Sequence, residues 1–203
     1  MPNVTENAII PLRPGVDLES ADSPDAQAWR QTLAILAEQP GCVRLATGMQ
    51  VENPDVMQML VEWTSVQDHA NFMAAPAYEP FFNHIKSIMS PTAAPILTHH
   101  TLSTSSSSLT SAPVTELVSF YFPPLLRRSH LGDAAPKLRL RRSAARAGPA
   151  RLGARLVRRE RCRARQSDGG GWQKDAFRET IGGLRALASG VEMHHVVFKE
   201  YQG

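Results

Sequence analysis

The chain has 203 residues, 42% of them hydrophobic, and a formal net charge of +3. That length suffices for one large or two small domains with a real core, and that hydrophobicity excludes a wholly disordered chain. No run of about 18 apolar residues marks a membrane span, no basic and apolar leader opens the sequence, and two cysteines make no disulfide framework. The expectation is a cytoplasmic protein without membrane contact.

In chain order, Val4-Thr5-Glu6-Asn7-Ala8-Ile9-Ile10 predicts a first strand. A helix follows from Ser23 as N-cap with Pro24 at its first position, carrying Trp29, Leu33, Leu36 and Ala37 on one face until Pro40-Gly41 stops it. Residues 42–51 and 55–63 predict a hairpin around Asn53-Pro54, with Met57, Met59, Val61 and Trp63 on one face of its second strand. Ser65 and Asp68 stand at capping-box spacing and open a short helix. After the Pro76 break, Phe81, Phe82, Ile85, Ile88 and Met89 continue as a second helical stretch, and residues 95–102 close the unit as a strand. The order β-α-β-β-α-β is the ferredoxin-like pattern.

Residues 103–113 predict a Ser/Thr-rich linker too polar to pack. Beyond it the pattern begins again: Val114-Thr115-Glu116 repeats Val4-Thr5-Glu6, His194-His195 repeats His99-His100, and Phe177 repeats Phe82. A last helix is expected on Phe177, Ile181, Leu184 and Leu187, ending at Gly190. Matching ends at such a distance argue for a duplicated unit. Residues 1–102 form the complete copy, and residues 114–126 with 172–203 a partial one.

Between the two halves of the second copy lies an Arg-rich segment, residues 127–171. Over residues 127–166, thirteen Arg and Lys137 stand against Asp133 and Glu160, a charge of +12, so the rest of the chain carries −9. This stretch has no Phe, Trp, Tyr, Ile or Met, no third apolar turn and no strand-like alternation. It reads as a disordered arm or the product of a shifted reading frame, foreign to the surrounding fold. Without aromatics to stack on bases, and beside an acidic body, nucleic acid is not the expected partner.

The stretches Met59–Phe82 and Gly190–Tyr201 resemble antibiotic-biosynthesis-monooxygenase-like proteins of the dimeric α+β-barrel type, in the tandem form known from fungi. In that family a strand ends in Trp, a Ser-containing turn follows, and the next helix carries His; here these are Trp63, Ser65 and His69. The resemblance implies an α+β fold of tandem ferredoxin-like units, the second incomplete, closing a barrel within one chain or as a homodimer. It implies cofactor-independent oxidation of a small aromatic or polyketide-type molecule. The alternatives on that scaffold are a non-catalytic ligand-binding barrel, and a polyketide cyclase or decarboxylase.

Under that resemblance His69, His99 and His194 are the candidate catalytic bases, and Asn7, Trp63 and Tyr78 the candidate ligand contacts. The dipole of the helix start is expected to keep His69 neutral, able to take a phenolic proton. The plainer alternatives are a core aromatic for Trp63, a half-buried surface histidine for His69 and a local hydrogen-bonder for Asn7. Haem degradation is not expected, because the family's haem-site His lies further along the helix, near Met73, where this chain has none. Adjacent histidines on a strand point to opposite faces, and no carboxylate or Cys cluster accompanies them in sequence, so neither metal nor cofactor is expected.

Overall fold

The computed structural model describes residues 3–102, 106–123, 141–142, 152–160 and 182–202. The chain divides into two units, residues 1–113 with 196–203, and residues 114–195.

The first unit runs β1 (Val4–Pro11), α1 (Pro24–Ala37), β2 (Cys42–Met49), β3 (Val56–Trp63), α2 (Val66–Ala74), α3 (Tyr78–Ile88) and β4 (Ile96–His100). β1 pairs antiparallel with both β3 and β4, and β3 with β2, giving the spatial order β4-β1-β3-β2 of a ferredoxin-like sheet. Period-two alternation sends Ala8 and Ile10 of β1, and Met57, Met59, Val61 and Trp63 of β3, into one core. Trp29, Leu33 and Leu36 of α1 and Phe72, Phe81, Ile85 and Ile88 of α2 and α3 close over it. Each such side chain contributes roughly 1.5–3 kcal/mol on burial. Ala37, expected on the buried face of α1, is exposed; at about 100° per residue it turns past the face that Leu33 and Leu36 occupy.

Both expected caps are formed. Ser23 Oγ accepts from Asp25 N at 3.2 Å, and Ser65 Oγ accepts from Asp68 N at 3.2 Å while its hydroxyl donates to Asp68 Oδ2 at 2.6 Å. Gly41, at φ +84°, makes the left-handed turn out of α1 beside Asp68.

The expectation that residues 103–113 are too polar to pack is corrected. A short helix, α4 (Ser106–Thr110), buries Ser106, Leu109 and Thr110, with Ala112 just beyond it. The physical reason is that short hydroxyls can be satisfied in place: Ser106 Oγ donates to Glu62 and Thr110 Oγ1 to Glu200 Oε1. The chain's last strand, β9 (Lys199–Glu200), pairs with β2 and makes the first sheet five-stranded.

The second unit contains β5 (Val114–Phe122), β6 (Arg141–Arg142), β7 (Leu152–Glu160), a helix over residues 182–187 and β8 (Gly190–Val196), in the sheet order β6-β7-β5-β8. β7 lies inside the Arg-rich segment, where no strand was expected. It pairs with β5 over its whole length, from Val114↔Glu160 to Phe122↔Leu152. A ladder is made by backbone groups, so a partner strand imposes it where side-chain alternation does not announce it. The rest of that segment (residues 127–140, 143–151 and 161–171), together with Phe177 and Ile181, lies outside the described residues. Leu184 of the final helix is fully buried.

Candidate active site

An open pocket lies in the first unit between the sheet and helices α2 and α3, with about 510 Å³ of empty space including its mouth. Its walls are apolar, among them Ile10, Leu36, Phe72, Phe81 and Ile85, and its polar groups are Glu6, His69 and Tyr78. Few convergent polar groups in an apolar cleft are the usual form of a small-molecule site.

Three backbone elements bring the polar end together. Glu6 stands on the same face of β1 as Ala8 and Ile10, so a carboxyl occupies the end of an apolar stripe. His99 on β4 is its direct cross-strand partner. His69, in the first turn of α2, comes down between them. His69 Nδ1 and His99 Nε2 are hydrogen-bonded at 2.8 Å, and His69 Nε2 is 3.6 Å from Glu6 Oε2. Behind this group Trp63 stacks on the His69 ring at 5.2 Å between centroids and donates from Nε1 to Glu6 Oε2 at 2.8 Å.

Burial sets the electrostatics. It pushes the Glu6 carboxyl up from 4.5 to about 7, against the opposing effect of the Trp63 hydrogen bond. It also lowers His69 from 6.5 to about 4, with His99 next to it adding to the fall. His99 is lowered by burial as well. The Tyr78 hydroxyl is raised, first by burial and then by the charge of Glu6. Burial and the neighbouring His99 thus favour the neutral form of His69.

Of the residues singled out in the sequence, His69, His99, Trp63 and Tyr78 gather at or directly behind this pocket. Trp63 is fully buried one layer behind the wall and acts on the pocket through His69 and Glu6. Asn7 does not join them: it alternates to the opposite face of β1, where Gln58 Nε2 donates to its Oδ1. His194 belongs to the second unit, where it is buried, while His195 Nε2 lies 3.6 Å from Glu116 Oε2. Glu6 is the residue that sequence reasoning missed. Its signal was an acidic side chain on the apolar parity of a core strand. It also supplies the carboxylate that no sequence cluster placed beside the histidines.

No protein-family profile matches the chain, and no curated protein sequence matches it. Solved structures do. An anthrone oxidase-like protein aligns at 11% identity and a TM-score of 0.59, over 98% of this chain and 94% of its own. A protein described as a candidate monooxygenase from Lactobacillus acidophilus NCFM aligns at 8% identity and a TM-score of 0.57, over 100% of this chain and 97% of its own. SnoaB, a cofactor-independent oxygenase from Streptomyces nogalater, aligns at 16% identity over 52% of this chain and 98% of its own, with a TM-score of 0.41. The fold is therefore α+β, of the kind found in the anthrone oxidase-like protein and in the Lactobacillus acidophilus protein.

Proposed function

We propose that the first unit oxidises a small, electron-rich aromatic or polyketide-type molecule with dioxygen and without a bound cofactor. The observation that carries this reading is the His69 imidazole, held between Glu6 and His99 at the polar end of an otherwise apolar pocket. An aromatic ring lies along the Phe and Leu walls, and its hydroxyl or activated methylene meets His69. His69 takes the proton and can hand it to Glu6 beside it, whose carboxyl is raised by burial, so the two act as one base.

Such chemistry balances without an external reductant when a methylene becomes a carbonyl. The substrate anion gives electrons to dioxygen, one oxygen atom enters the product as C=O, and the other leaves as water with the two methylene hydrogens. The substrate loses four electrons and dioxygen gains four. An apolar pocket favours this course because it excludes water from the anion and from the oxygenated intermediate.

Oxygen uptake by the full chain with an anthrone-type substrate tests the reading. Uptake is expected, with one oxygen atom in the product, and His69→Ala reduces it by about a hundredfold, the usual contribution of a positioned base. Saturable binding without uptake overturns it in favour of a ligand-binding protein. A product that has lost only water or carbon dioxide overturns it in favour of a cyclase or decarboxylase.

A further inference from the structure

We propose that Glu6, His69 and His99 bind one divalent transition-metal ion of the zinc class, and that the bound ion switches off the oxidation proposed above. The second half rests on that functional reading; the first stands without it.

One ligand atom from each of the three residues can be chosen so that all lie within 4.8 Å of one another. Zinc bonds of about 2.0–2.2 Å set tetrahedral ligands roughly 3.3–3.5 Å apart, so the three ligand atoms already stand near the spacing that an ion would impose. Two imidazole nitrogens and one carboxylate oxygen form a borderline donor set. It suits zinc, cobalt or nickel, whereas magnesium and calcium favour all-oxygen shells.

Four features of the fold prepare the site. Glu6 and His99 are paired across β1 and β4, so their backbones are fixed directly opposite each other. Trp63 supports two of the three ligands from behind: it hydrogen-bonds Glu6 Oε2 and stacks on His69, the outer-shell support that ligating carboxylates and histidines need. Among the described residues no Lys or Arg lines the pocket, and a metal ion is a charge that would complete the buried carboxyl there. Glu6 and His69 line the open pocket, from which water can supply a fourth ligand. His69 lies between the other two groups and offers the ion a single nitrogen. That nitrogen's lone pair is then no longer free to take a proton from a substrate, which is how occupancy blocks the base.

The test is calorimetric titration of the EDTA-stripped full chain with zinc chloride, paired with the visible spectrum after cobalt addition. One ion per chain is expected, with micromolar or tighter affinity and a cobalt spectrum of nitrogen–oxygen ligation. Glu6→Gln and His99→Gln, checked for folding by circular dichroism, each weaken binding at least about tenfold, and His84→Ala, outside the pocket, leaves it unchanged. Absence of saturable binding overturns the site, as does binding that Glu6→Gln and His99→Gln both leave intact. The switch is read separately, by oxygen uptake with and without equimolar zinc. Uptake that survives zinc occupancy overturns the switch while the site stands. Zinc binding in a protein that consumes no oxygen even in EDTA overturns the oxidation reading and the switch with it, and leaves the site intact.

Discussion

Trp63 Nε1 donates a 2.8 Å hydrogen bond to Glu6 Oε2, joining the last residue of β3 to a carboxyl on β1 at the polar end of the pocket. Both residues are buried, Trp63 completely, so the bond is made where water cannot replace it.

Trp63→Phe keeps the aromatic bulk and removes that donor. Leaving a buried carboxyl short of a partner costs about 1–3 kcal/mol. Chemical denaturation is expected to show a loss of that size. The carboxyl band of Glu6 in the infrared is expected to titrate at higher pH than in the wild type, since the hydrogen bond opposes the burial effect. An unchanged band would mean that the indole does not act on Glu6.

Glu6→Gln reports the same group through stability against pH, in EDTA-treated protein. The folded carboxyl titrates near 7 against an ordinary 4.5, so the folded state holds this proton more tightly than the unfolded chain. The stability that Glu6 contributes is therefore complete below the unfolded value and is lost as pH rises toward 7. The variant has no such proton to lose. Its stability relative to the wild type is expected to rise between about pH 4.5 and 7 by an amount on the order of a few kcal/mol, and to level off above. Parallel stability curves across that range would show that the Glu6 carboxyl is not shifted.

Phe82→Ala separates binding from chemistry. Phe82 lines the pocket, is 39% exposed and stacks on Tyr78 at 6.0 Å. Losing an aromatic contact of about 0.5–1.5 kcal/mol is expected to raise KM by up to about tenfold with kcat unchanged. The melting temperature moves little, because the ring is not in the core. A fall in kcat with KM constant would mean that Phe82 acts on the transition state instead.

Gly48→Ala tests how the chain's end is held. A Cβ at Gly48 would lie 2.3 Å from the Val197 carbonyl oxygen and 2.7 Å from Val196 Cγ1. β2 and the returning segment must then move apart, at a cost of about 1–3 kcal/mol. Limited proteolysis is expected to cut within residues 196–203 of the variant before the wild type is cut there. Equal cleavage would show that the close approach does not hold this segment.

Local pattern was enough for β1 to β4 and the three helices between them. The parity of Met57, Met59, Val61 and Trp63, the cap residues Ser23 and Ser65, and the stops at Pro40-Gly41 and Pro76 are short-range signals, each set by backbone geometry within one or two turns. They determine the element order, and the element order leaves few antiparallel arrangements open. The histidines and Trp63 were visible as chemistry-bearing residues for the same reason: their types are uncommon on core strands and at helix starts.

What required the tertiary structure was everything that depends on distance across the sheet. Glu6 is 63 residues from His69 and 93 from His99 in the chain, and only the pairing of β1 with β4 and the descent of α2 onto the sheet bring the three together. Burial follows from the same packing, so the raised carboxyl and the lowered imidazole could not be read from residue types. Parity decided against Asn7: one step along β1 from Glu6 places it on the other face. In the same way β7 exists because β5 presents a backbone edge, and a backbone edge leaves no trace in the composition of the strand that joins it.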